Sequence, residues 1–200
     1  MSDVDERVRE AARKALARYW DTKSVELSLA ELTPYLLINN VAAMHTAASI
    51  LASAERYDEA REFCNEMLQN AKSDKDYVEI MLACETGVFD ILPGGRDGVY
   101  QKAMIELANR GNWVIQTELA LNYKNGKRGF ARNEGFFLKW IEAAAGSGGF
   151  DPVAHYVEYL IQKKKPVPQS ILSIIDEELR DHPMHGKLMR LLEKSKSNGN

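Results

Sequence analysis

Apolar positions recur along this chain at intervals of three and four, the period of a helix with one buried face. No run alternates apolar and polar residues with the period of a strand. From Asp3 to Trp20, the positions Val4, Val8, Ala11, Ala12, Ala15, Leu16, Tyr19 and Trp20 share one side of a single helix. Ser28-Leu29-Ala30-Glu31 matches a capping box, in which serine and glutamate satisfy each other's free backbone donors. Thr33-Pro34 predicts the start of a longer helix, because a first helical position needs no amide partner, and Asp151-Pro152 repeats the device. Breaks at Pro93-Gly94-Gly95, Lys165-Pro166-Val167-Pro168 and His182-Pro183 divide the remainder, giving about ten helices joined by short loops. Short links make consecutive helices pack antiparallel, so the expected architecture is a series of helical hairpins.

Two hairpins carry clearer signatures. In the first, Ala47, Ala48 and Leu51 precede Arg56-Tyr57-Asp58-Glu59-Ala60, Cys64 and Met67. Ala48 and Ala60 are small enough for two helices to approach, with Tyr57 expected to fill the space near their turn. This stretch, about 34–72, resembles a tetratricopeptide hairpin.

In the second, Leu119, Ala120, Tyr123, Gly126, Gly129, Phe130 and Asn133 are followed by Phe136, Phe137, Trp140, Ala144, Ala145 and Gly148. The spacing resembles a Sel-one-like repeat, a relative of the tetratricopeptide repeat. The chain departs from that family's pattern in four ways. Ala120 replaces a glycine, Asn133 an aspartate and Phe137 an alanine, and one extra residue lies between Gly126 and Gly129. Leu107-Ala108 with Gly111-Asn112 looks like the end of a preceding unit, and Ala154 to Ile161 like the start of a following one. The resemblance covers about residues 98–163. Gly126 and Gly129 are expected to take backbone angles closed to other residues, while Tyr123 and Trp140 fill space between helices.

The resemblance implies an all-α fold, an α-solenoid of stacked antiparallel helical hairpins forming one repeat domain over 1–196. Terminal helices would cap its ends, and a flexible tail would occupy 197–200. Its implied function is non-catalytic binding of another protein, as a bacterial adaptor or as an immunity protein that neutralises a cognate toxin. The inner face of the first hairpin would carry His45 and Ser49, and that of the second Thr117, Leu121 and Lys124. Packing of these five against a neighbouring helix is the alternative.

Composition narrows the classes. With 45% hydrophobic and 28% charged residues the chain is ordinary for a soluble globular protein. A net charge of -3 argues against nucleic acid as the partner. The acidic start Met1-Ser2-Asp3-Val4-Asp5-Glu6 is unlike a secretory signal, and no apolar stretch approaches the roughly 20 residues of a membrane span. Two cysteines cannot form a disulfide framework, so a cytoplasmic location without membrane association is expected.

Candidate chemistry is sparse. His182 and His185 are spaced for a metal but lack a third ligand, and neither a metal nor a cofactor is expected. Cys64 and Cys84 fall among apolar positions and read as packing residues. Gly94-Gly95-Arg96-Asp97-Gly98 and Gly146-Ser147-Gly148-Gly149 follow no strand and lack a phosphate-loop lysine, so they read as turns. Lys124, Lys127, Arg128 and Arg132 form one basic cluster and Lys163-Lys164-Lys165 another, better suited to an acidic protein than to bases. The rival readings are an enzyme using carboxylates such as Glu79, Glu85 or Glu118, and self-assembly through an exposed apolar helix at Ile171–Leu179 or Leu188–Leu192.

Overall fold

The computed structural model describes residues 3–197, with side chains over 4–193. Among them there is no strand; eleven α-helices and one 3-10 helix account for the regular structure. Ser197 closes the last helix, and the rest of the expected tail, 198–200, lies outside the described residues. The odd-numbered helices begin at residues 3, 41, 74, 113, 150 and 185, spacings of 38, 33, 39, 37 and 35 residues. Contacts divide the chain into two compact units, 1–104 and 105–200.

The first unit contains α1 (Asp3–Thr22), α2 (Val25–Leu36), α3 (Val41–Ser53), α4 (Tyr57–Asn70) and α5 (Asp74–Glu85). The 3-10 helix Val88–Ile91 follows, and then α6 (Gly95–Asn109), which runs across the division. Helix α1 packs against α2 and α3, and α3 against α4 and α5, so each odd helix touches the next odd one. Ala11, Ala15, Tyr19, Val25, Leu32, Ala47, Ile50, Leu51 and Ala60 form a shared core. Alanines at its centre allow the axes to close up, while the 3-10 helix inserts Phe89 with no solvent exposure. Of the face expected on α1, Val8, Ala11, Ala15 and Tyr19 are buried, whereas Trp20 stays 61% exposed beneath the Lys23 ammonium.

Four local expectations are corrected. Ser28 is inside α2 and fully buried, where its hydroxyl donates to Ser24 O at 2.7 Å. The cap is Ser24, whose Oγ accepts from the Leu27 amide, and the chain's capping box is formed by Ser73 and Asp76. Pro34 starts no helix. It sits in the last turn of α2, the chain turns through Asn39 at φ +56°, and α3 begins at Val41 under an Asn40 cap. Tyr57, expected to fill the α3–α4 turn, is 45% exposed because Leu51 and Ala60 already occupy that space. Gly95–Gly98, read as a turn, is the opening of α6, with Asp97 in its first turn complementing the helix dipole.

The second unit holds the remainder of α6, then α7 (Trp113–Asn125), α8 (Glu134–Ala145), α9 (Phe150–Gln162), α10 (Gln169–Glu177) and α11 (His185–Ser197). Helix α8 packs against both α7 and α9, and α11 packs against α9. The start of α7 also reaches the start of α9: a Cβ built on Gly149 falls 3.0 Å from Trp113 Cζ3. Of the apolar end helices Ile171–Leu179 and Leu188–Leu192, Ile171, Ile175, Leu179, Leu188 and Leu192 are buried, while Leu172, Ile174, Met189 and Leu191 are half-buried. No helix among the described residues is long and apolar enough to cross a membrane.

Candidate functional site

In the first unit His45 projects from α3 toward α5. Ala43, Ala47 and Ala48 on the same helix are fully buried. His45 Nδ1 lies 2.6 Å from Glu79 Oε1, and Nε2 lies 3.2 Å from Thr86 Oγ1, at the C-cap of α5. Both ring nitrogens are therefore engaged by the adjacent helix. Ser49 Oγ donates to His45 O at 2.9 Å and so turns back onto its own helix.

A carboxylate, an imidazole and a hydroxyl in line resemble a nucleophile relay. Its surroundings oppose that use. The Thr86 hydroxyl contacts Ala83 O at 3.1 Å, and the amides of Thr86 and Gly87 donate to Leu82 O and Cys84 O. The hydroxyl thus sits at the negative end of a helix, without spare amides there to hold an oxyanion. The cluster acts as a clasp between α3 and α5.

Cys64 and Cys84 are buried and free. Burial pushes the Cys64 thiol up to about 11 and the Cys84 thiol up to about 12, which disfavours the nucleophilic thiolate. Among the described residues no three His, Cys, Asp or Glu side chains are grouped to hold a metal. His182 instead stacks on Phe150, with ring centroids 4.4 Å apart and planes 9° from parallel.

The second unit brings together more of what the sequence singled out. Helix α7 ends at Gly126, whose φ of +66° caps it, and the turn continues through Arg128 at +51° and Gly129 at +77°. Asn133 caps α8 by accepting from the Phe136 amide at 2.9 Å, a role asparagine fills as well as aspartate. Tyr123 sits between Phe130 and Phe136, each 4.9 Å away by ring centroid. Trp140 is 5% exposed, and Ala144 and Ala145 are fully buried.

Along α7, Thr117 Oγ1 donates to Trp113 O at 2.7 Å, Leu121 is half-buried and Lys124 is exposed. The Lys124 ammonium stands 5.3 Å from the Phe137 ring, and Phe137 meets Tyr159 of α9 edge-on at 5.1 Å. Tyr159 Oη donates to Glu134 Oε1 at 2.7 Å, and Lys163 Nζ reaches the same oxygen at 2.6 Å. Lys163 and Lys165 lie 5.7 and 6.0 Å from the Tyr159 ring. The hydrogen bond from Lys163, followed by that from Tyr159, holds the Glu134 carboxyl below its ordinary value. The bond to Glu134, reinforced by burial, pushes Tyr159 up to about 12. Lys124 from the first basic cluster and Lys163 and Lys165 from the second thus stand over one buried aromatic pair, with Glu134 held by Lys163 and Tyr159.

Of the five residues expected on a binding face, the structure leaves Lys124 outermost, Leu121 and Thr117 beside it on α7, and His45 and Ser49 turned into their own unit. Sequence reasoning missed Glu134 and Tyr159 as neighbours of Lys163, and Glu79 and Thr86 as partners of His45. No protein-family model, curated protein or solved structure matches this chain.

Proposed function

We propose that this chain is a non-catalytic protein-binding module whose second unit takes an acidic surface of a partner protein. The observation that carries this reading is the meeting of Lys124, Lys163 and Lys165 around Phe137 and Tyr159 in a chain whose net charge is -3. In such a chain a cationic patch is a local feature that steers and orients an acidic partner. Phe137 and Tyr159 are buried beneath the ammonium groups, which denies nucleic-acid bases a stacking platform and favours protein over nucleic acid.

In this reading each unit is a stack of tetratricopeptide-like hairpins, with a Sel-one-like pair over about 98–163. The period of 33 to 39 residues between odd helices supports it, as do Gly126 and Gly129 at positive φ and the buried Trp140. A preformed helical surface binds without the cost of ordering a loop, which suits an adaptor or an immunity protein that masks a toxin.

Capture from native lysate, read by mass spectrometry, tests the proposal with wild type, Leu121→Glu and Lys124→Glu. The expected result is a protein partner with an acidic surface, retained after nuclease treatment and lost with Lys124→Glu. Capture unchanged by both substitutions would remove α7 as the docking face. For the immunity role, co-expression with a captured toxin should restore growth; a captured protein harmless on its own excludes that role.

A further inference from the structure

Helices α9, α10 and α11 of the second unit enclose a groove of about 870 Å³. Its floor is apolar, with Ile161 from α9, Leu172 and Ile175 from α10, and Met189 and Leu192 from α11. Lys164 and Lys165 of the α9–α10 loop line it, as do Asp176 of α10 and Glu193 of α11. We propose that this groove binds an amphipathic helix of a partner protein, acidic in its first turn and basic in its last.

The polarity follows from how the three helices run. Near the end of α10, Glu178 fills the space a Cβ would need at Gly148, and His182 stacks on Phe150. The end of α10 therefore lies by the start of α9, and the two helices are antiparallel. Helix α11 starts from that same end and packs along α9, so it runs parallel to α9. Lys164 and Lys165 consequently mark the end where α10 begins, and Asp176 the end where it finishes, about 10 Å away at 1.5 Å per residue. Among the described residues, Glu193 is the carboxylate lining the lysine end of the groove, opposite two ammonium groups.

In three places in this chain an even helix lies against the odd helix before it, α2 on α1, α4 on α3 and α8 on α7. The groove flanks α11 in the same way. A helix seated there in that register runs antiparallel to α11, with its N-terminus beside Lys164 and Lys165. Acidic side chains in its first turn then meet both lysines and its own helix dipole, and a basic last turn meets Asp176. Apolar positions at helical spacing cover the floor.

The proposal rests on the reading of the second unit as a partner-binding module. The probe is a fluorescein-labelled synthetic helix of about 14 residues with leucines on one face, near the length where isolated helices become stable. One version carries Glu in its first turn and Lys in its last, and a second has these charges exchanged. Fluorescence anisotropy on the full chain should show about tenfold tighter binding of the Glu-first peptide. Leu172→Glu should abolish binding of both peptides. The exposed pair Lys164→Glu with Lys165→Glu, which leaves the floor intact, should reverse the preference. Equal affinity for the two peptides, binding indifferent to Leu172→Glu, or a stable dimer through this groove in sedimentation overturns the proposal. Lysate capture separates the two claims. An absent peptide preference with capture still sensitive to Lys124→Glu overturns the groove alone. Capture insensitive to Lys124→Glu overturns the docking face and leaves the peptide result standing.

Discussion

His45 on α3 and Glu79 on α5 are joined by a 2.6 Å contact between Nδ1 and Oε1, with both side chains less than a quarter exposed. Thirty-four positions separate them in sequence. A charge-assisted bond in such a partly buried place should hold the two helices together measurably. Chemical denaturation of His45→Ala, Glu79→Ala and the double variant should give a coupling energy of about 1–2 kcal/mol. Additive effects of the two single changes would show that the pair contributes nothing beyond its separate packing.

Glycine-to-alanine changes should act in opposite directions at two positions. At Gly126 the backbone is left-handed and a Cβ falls 2.9 Å from Arg132 Cγ, so Gly126→Ala should cost about 1–2 kcal/mol. Gly98 lies inside α6 with nothing within 4 Å of its Cβ position, so Gly98→Ala should stabilise by about 0.5–1 kcal/mol. Thermal melts of the two variants decide the signs; a stabilised Gly126→Ala would refute the strain argument.

Trp140 is the large aromatic plug of α8, and Trp140→Ala should lower the unfolding free energy by about 3–5 kcal/mol. Trp140→Phe, which keeps most of the apolar volume, should cost clearly less. Urea titrations of both will show whether volume at this position matters; equal costs would argue against it.

The buried thiols predict a loss of stability in alkali. Their folded values, about 11 and 12, lie above the ordinary 9.0, so the neutral form is favoured in the fold. Their contribution is complete below pH 9 and falls as pH rises toward 11 and beyond, because the unfolded chain ionises first. Comparing denaturation midpoints at pH 8 and pH 10 should show a drop that shrinks in the Cys64→Ala, Cys84→Ala double variant. At pH 8 the native thiols should react with a disulfide reagent far more slowly than in denaturant.

Much of the all-helical pattern was legible because helical spacing and glycine punctuation are local signals. Gly126 and Gly129 mark the α7–α8 turn by backbone geometry alone, while Asn133, singled out only by its place in the repeat pattern, is the cap of α8. Pro34 misled because proline favours a first turn, where its missing amide costs nothing, yet here it stands in the last turn of α2, two residues before the helix ends. The partners of His45 were legible in principle: Glu79 lies one hairpin period away, so period and residue type together point to it. Nothing in the spacing of Glu134, Tyr159 and Lys163 announces their joint contact, since it depends on how α8 and α9 cross. The groove beside α11 was illegible for the same reason, because three helices contribute one or two side chains each to its floor.

The indole of Trp113 lies over Gly149 so closely that a Cβ there would fall 3.0 Å from Cζ3 and force the ring aside. Slipping α9 by one residue in either direction would bring Gly148, hemmed in by Glu178, or the bulky Phe150 under the same ring. The starts of the two hairpins therefore meet in one register, and a side chain at 149 would wedge them apart.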